Sequence, residues 1–147
     1  MVGLLTCGLA GGCSLLPKAT SEICVDWIRF ETSQAQFDHA PLVLIGRPVR
    51  ADGQTDIYGY RANVYLIEVE TVLKGDPGPA PLRIASTPPT CSAGVPYPDG
   101  DPLASTKRML IYANQHDSGW ITQTPTQGVV PFDAGAPLPF RVAAPRG

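Results

Sequence analysis

Apolar and polar positions alternate with a period of two around Tyr65 to Glu70, and elsewhere short apolar runs are broken by Gly and Pro, the pattern of strands. Leu42-Val43-Leu44-Ile45-Gly46 is continuously apolar and bounded by turn signals. It predicts a buried strand reaching about Arg50, with Pro48 marking an edge or a bulge. Ala51-Asp52-Gly53-Gln54 predicts a turn. The longest strand candidate is Tyr60 to Leu73. Tyr65, Ile67 and Val69 fall on one face and Glu68 and Glu70 on the other. Val64 and Leu66 share that second face, so the first half of this strand is expected to be covered on both sides. Val72 breaks the alternation and places a bulge near Thr71. Lys74-Gly75-Asp76-Pro77-Gly78 stops the strand. Leu82 to Ser86 is a short strand, Lys107 to Asn114 another, and Trp120 to Thr124 closes a hairpin through Asp117-Ser118-Gly119. Phe30 to His39 carries helix formers and ends before Pro41, because a residue preceding Pro avoids helical angles.

The sum is a mainly β domain of five strands with one short helix near the N-terminus. Five short strands must hide their edges, and a small OB-like barrel does so economically. Composition agrees: 16 Pro and 15 Gly suit a β protein with many turns. The formal net charge of −2 lacks the basic footprint of a nucleic-acid binder. Thr87 to Thr106 is a long loop with Pro88, Pro89, Pro96, Pro98 and Pro102, and so a candidate for recognition. From Pro131 onward Pro, Gly and Ala dominate, and residues 133–147 are expected to form an extended or disordered tail.

Residues 1–12 are uncharged and mostly apolar, and end in Leu9-Ala10-Gly11-Gly12 before Cys13. They are too few to span a bilayer, which needs about 20 apolar residues. The stretch resembles a bacterial lipoprotein signal, although the basic residues that open such signals are absent and the first charge is Lys18. The resemblance implies that 1–12 is removed, that Cys13 carries fatty chains, and that 13–22 tethers the domain to the outer face of a cell membrane. Cys7 would then leave with the signal, and Cys24 and Cys91 would remain as one pair in an oxidising compartment. A disulfide follows from that count; two buried thiols are the alternative.

Phe37-Asp38-His39-Ala40-Pro41-Leu42-Val43-Leu44-Ile45-Gly46-Arg47-Pro48-Val49 resembles the opening of the netrin-like domain of tissue inhibitors of metalloproteinases. Tyr65 to Gly75 resembles that family's second strand and Lys-Gly turn, Cys91 a cysteine after its third strand, and Lys107 to Ala113 its fourth strand. The likeness covers about Cys24 to Phe132, gives a domain of 23–132, and implies a five-stranded OB-like barrel. The family's inhibitory chemistry does not carry over. Zinc chelation there uses the amine of an N-terminal Cys-x-Cys, whereas Cys24-Val25-Asp26 lacks the second Cys and Cys24 is internal.

Few residues suggest a reaction. His39 and His116 have no spacing that would bring metal ligands together, and neither a nucleophile elbow nor a phosphate loop is present. Asp99-Gly100-Asp101 reads as a solvated turn, and Glu68 and Glu70 as the wet side of the barrel. Trp27 and Trp120 read first as packing residues. The expected role is a lipid-anchored extracytoplasmic binding module without catalysis, metal or cofactor, its partner an envelope or extracellular protein. A loop-based protease inhibitor is the rival, and an envelope glycan binder using Trp120, Tyr58 and Tyr60 a third reading.

Overall fold

The computed structural model describes residues 23–92, 95–117 and 119–143. The signal, Cys7, Cys13 and the tether lie outside the described residues. The elements are α1 (Ser33–His39), β1 (Leu42–Ile57), β2 (Tyr60–Lys74), β3 (Leu82–Ala85), β4 (Met109–His116), β5 (Gly119–Thr122) and β6 (Val129–Pro131).

Five strands close a barrel. β1 pairs antiparallel with β2 and β4, β2 with β3, and β4 with β5, and a parallel β3–β5 ladder completes the ring. This is the OB-like barrel expected from the strand pattern. The extra strand β6 pairs with β4 alongside Met109–Ile111. It continues the line of β5: Gln123 N–H donates to the Tyr112 carbonyl and Tyr112 N–H to the Gly128 carbonyl, so one long ladder is interrupted by a turn at 124–127. That interruption, and Pro131 at the end, concealed β6 in the sequence.

Alternation explains why some strands are apolar on both faces. Leu42, Leu44, Tyr65, Ile67, Ile84, Met109 and Ile111 fill the barrel. Their neighbours Val43, Ile45, Leu110 and Tyr112 point outward, and there they meet Phe37 of α1 and its C-capping Ala40 together with Phe132 and Phe140. The apolar run of β1 is thus covered inside by the barrel and outside by the helix and the C-terminal segment. Val64 faces a third cluster with Ile57, Ala62, Ala85 and Ile121, so the first half of β2 is covered on both faces as expected. The expected tail needs correction. Residues 133–143 are irregular, yet Phe140 stacks on Phe37 at 4.2 Å, is 7 % exposed, and belongs to the core.

The helix is shorter than the composition suggests. Thr32 caps it, its hydroxyl accepting from Ala35 N–H, and residues before the cap stay extended. Lys74 closes the other end, donating to the carbonyls of Phe37 and Asp38 at 2.8 Å, where a cation opposes the helix dipole favourably. The expected turn at Ala51–Gln54 is instead an irregular stretch inside β1, which runs on to Ile57. Pairing slips there because Asp52 and Gly53 (φ +86°) oppose Val64. The chain reverses at Tyr58-Gly59, with φ +50° and +85°, the two positive values of a type I′ hairpin turn. Further slips fall at Val49, directly after Pro48, and at Glu70 and Leu73, on either side of Thr71.

Residues 23–30 form a strap across the barrel. A disulfide joins Cys24 to Cys91, with Cα atoms 5.4 Å apart. Thr90 Oγ1 accepts from Val25 N–H at 2.8 Å and donates to the Val25 carbonyl at 3.1 Å. The Gln127 side chain does the same for Phe30, accepting at 3.0 Å and donating at 2.9 Å.

The long loop before β4 is latched along its length. Tyr60 Oη accepts from Cys91 N–H at 2.7 Å. Tyr97 Oη accepts from Asn63 N–H at 2.9 Å and donates to the Ser86 carbonyl at 2.6 Å. Asp101 accepts from Tyr65 Oη, Asn63 Nδ2 and Leu103 N–H at 2.8, 2.9 and 3.0 Å. Leu103 is fully buried in the barrel. The reading of Asp101 as a solvated turn residue is therefore corrected: Asp99 is exposed, but Asp101 ties the loop to β2.

Candidate functional site

Two hairpin turns converge at one end of the barrel, the β1–β2 turn at Tyr58-Gly59 and the β4–β5 turn at Asp117. Beside them opens a groove of about 230 Å³ floored by β3 and β5, with Thr55, Asp56, Arg83, His116, Asp117 and Trp120 in its lining. Strands splay where a ring of twisted strands ends, and the crevice is left to side chains that the turns carry.

Its donors are held in place. Arg83 sits on β3, and its Nε donates to Asp52 Oδ2 at 2.6 Å while Nη2 donates to the Asp52 carbonyl at 3.1 Å. The irregular stretch of β1 supplies both acceptors, so the bulge aims this guanidinium. Trp120 Nε1 donates to the Pro77 carbonyl at 3.2 Å, which fixes the indole at the wall. Asp56 pairs loosely with Arg61 at 3.5 Å. His116 Nε2 lies 3.5 Å from Asp117 Oδ2, and its ring tilts against Tyr58 with centroids 4.9 Å apart. Trp27 of the strap meets Tyr58 edge-on at 6.0 Å. A row Trp27–Tyr58–His116 thus runs from the strap to the rim of the groove.

The residues singled out from sequence separate here. Trp120 lines the groove and Tyr58 stands beside it. Tyr60 does not join them: it is 6 % exposed and its hydroxyl is committed to Cys91 N–H, so it anchors the loop. His39 lies on α1, tilted against Phe30 at 5.3 Å, and His116 on β4, so the two histidines serve different places. Among the described residues no three His, Cys, Asp or Glu gather as a metal site would need. Glu68 pairs with Arg47 at 3.9 Å, and Glu70 takes two bonds from Arg108 at 2.7 and 2.9 Å, which hold its carboxyl below the usual range. Both carboxylates are surface ion-pair partners, as the alternation implied.

Arg83 was not visible as a site residue in the sequence. It is one charge in a four-residue strand, and its partner Asp52 lies 31 positions away in a stretch that reads as a turn. No helix among the described residues is long and apolar enough to cross a membrane. Compared with family models, curated proteins and solved structures, the chain matches none of them.

Proposed function

We propose that this chain is an extracytoplasmic binding module, held to a membrane by lipid on Cys13, that engages an envelope or extracellular protein through the groove between its two hairpin turns. The observation that carries this reading is the preset geometry of Arg83 and Trp120. Each is fastened from behind, by Asp52 and by the Pro77 carbonyl, and each lines an open crevice. A guanidinium and an aromatic face held before contact lose little freedom on binding, and these residue types dominate protein recognition. The cross-link between Cys24 and Cys91 supports an oxidising compartment. The order of strands and the Lys74-Gly75 turn support the netrin-like affinity, without its zinc-chelating terminus.

The test is capture from solubilised membranes with the anchored domain as bait. A specific envelope or extracellular protein is expected with the wild type and is expected to be lost with Arg83→Ala or Trp120→Ala. Equal recovery by all three baits would remove the groove from the proposal. The latched loop favours a second reading, a protease inhibitor, since Tyr97 and Asp101 hold its exposed tip at Asp99-Gly100. Recovery of a protease whose activity falls on binding, unaffected by Arg83→Ala, would favour that reading. A glycan array that stays blank would remove an envelope sugar as ligand. For the anchor, fatty-acid labelling is expected on the wild type and not on Cys13→Ser; an unlabelled wild type ends that part of the reading.

A further inference from the structure

The β1–β4 ladder ends where Gly46 faces Met109, yet β1 continues to Ile57. From Arg47 onward β1 keeps β2 on one side and has no strand on the other among the described residues. The chain entering β4 runs along that flank instead, and a groove of about 490 Å³ separates residues 48–51 of β1 from residues 103–107. It shares no lining residue with the groove at the hairpin turns. The bulge leaves Val49 without a partner on β2, and its side chain is 46 % exposed. Ala51 and Ala104 add exposed apolar surface, while Pro48, Tyr65 and Leu103 are buried behind them and make the wall rigid. Pro48 offers no N–H and Val49 is bulged, two features that keep an edge from templating another strand. Recognition on this flank therefore falls to side chains.

The charges there are of one sign. The chain carries a formal net charge of −2, but among the described residues lining this groove Arg50 and Lys107 are charged and no carboxylate is present. Arg50 is the weaker of two claims on Asp52, at 3.5 Å against 2.6 Å for Arg83, and its side chain is 66 % exposed. Lys107 is exposed, and its ammonium makes no ion pair or hydrogen bond to the described residues. We propose that this groove docks an acidic segment of a partner protein, an aliphatic side chain resting on Val49 and Ala104 and carboxylates reaching Arg50 and Lys107. It is a second interaction surface, independent of Arg83 and Trp120. Exposed ion pairs contribute little singly, so the contact is weak and salt-sensitive, and its charge pattern selects the partner.

The probe is a capped peptide alternating Glu with Leu, and its control alternates Gln with Leu, each added to the full oxidised chain. Backbone amide resonances of Val49, Arg50, Ala104 and Lys107 are the readout. The Glu peptide is expected to shift them saturably, and the Gln peptide to bind about fivefold more weakly, the loss of two surface ion pairs. Raising ionic strength from about 0.01 M to about 1 M is expected to erase that difference. Lys107→Glu is expected to weaken the Glu peptide about fivefold and leave the Gln peptide unchanged. Arg29→Glu makes the same change in net charge on the exposed strap and is expected to alter neither. Amides unmoved by the Glu peptide, equal binding of the two peptides, or equal effects of Lys107→Glu and Arg29→Glu overturn the proposal. Sedimentation with phosphatidylglycerol vesicles that is lost in Lys107→Glu, while the Glu peptide moves none of these amides, overturns it in favour of a membrane surface.

Discussion

Gly75 has a backbone φ of +81°, and a Cβ built there would lie 2.1 Å from the Pro41 carbonyl oxygen. Only glycine satisfies both conditions, and Lys74 beside it caps α1, so the Lys-Gly pair welds the end of β2 to the start of β1. Gly75→Ala is expected to cost at least about 3 kcal/mol, from left-handed strain plus displaced backbone, read as a lower urea midpoint. Three of the five tyrosines resist ionisation. Burial pushes Tyr97 and Tyr112 up to about 12, and burial with the Asp101 carboxylate raises Tyr65 further. A phenol raised in the folded state contributes stability that is complete below its unfolded value of 10.0 and is lost as pH climbs through the folded value. Their contribution to the unfolding free energy is therefore expected to be constant from neutral pH to about 10 and to fall between 10 and 12, with these tyrosines ionising well above 10 in an absorbance titration. The Lys-Gly motif was legible in the sequence, but its reason was not: a close approach between residues 34 positions apart leaves no local mark.

The strands were legible where alternation or an unbroken apolar run signalled them. Leu42–Ile45 reads as a buried strand and Met109–Ala113 as a strand, and each has the barrel on one side and α1 or Phe140 on the other. What the sequence concealed depends on distant partners. The Pro, Gly and Ala of 133–143 forbid regular structure, but a single aromatic suffices to dock the segment, and Arg141 and Gln34 exchange two hydrogen bonds beside it. Phe140→Ala is expected to destabilise by about 3 kcal/mol, as loss of a buried aromatic does, and to loosen α1 because Phe37 loses its stacking partner. Far-UV and near-UV circular dichroism on thermal unfolding checks both. A variant as stable as the wild type would return residues 133–143 to the status of a tail. The strap was hidden for the same reason, since its partners Thr90 and Gln127 lie 65 and 97 residues away.

For the molecule as a whole, the Cys24–Cys91 cross-link spans 67 residues and ties the strap to the latched loop. Restricting the unfolded chain by a loop of that length stabilises by about 4 kcal/mol. Reduction, or Cys91→Ser, is expected to lower the unfolding free energy by about that amount in denaturant titrations with and without reductant. The barrel itself closes unevenly. Its β3–β5 ladder is two residue pairs long, Ile84 with Trp120 and Ala85 with Ile121, extended only by Thr87, which donates its amide to Thr122 Oγ1 and its hydroxyl to the Thr122 carbonyl. A ring opens where its joint is shortest, so amide protons flanking this seam are expected to trade with deuterium sooner than those of the long β1–β2 hairpin. Arg83 stands on one side of the seam and Trp120 on the other, so any molecule gripping both would staple it shut. Slowed isotope uptake there would reveal an occupant before its identity is known.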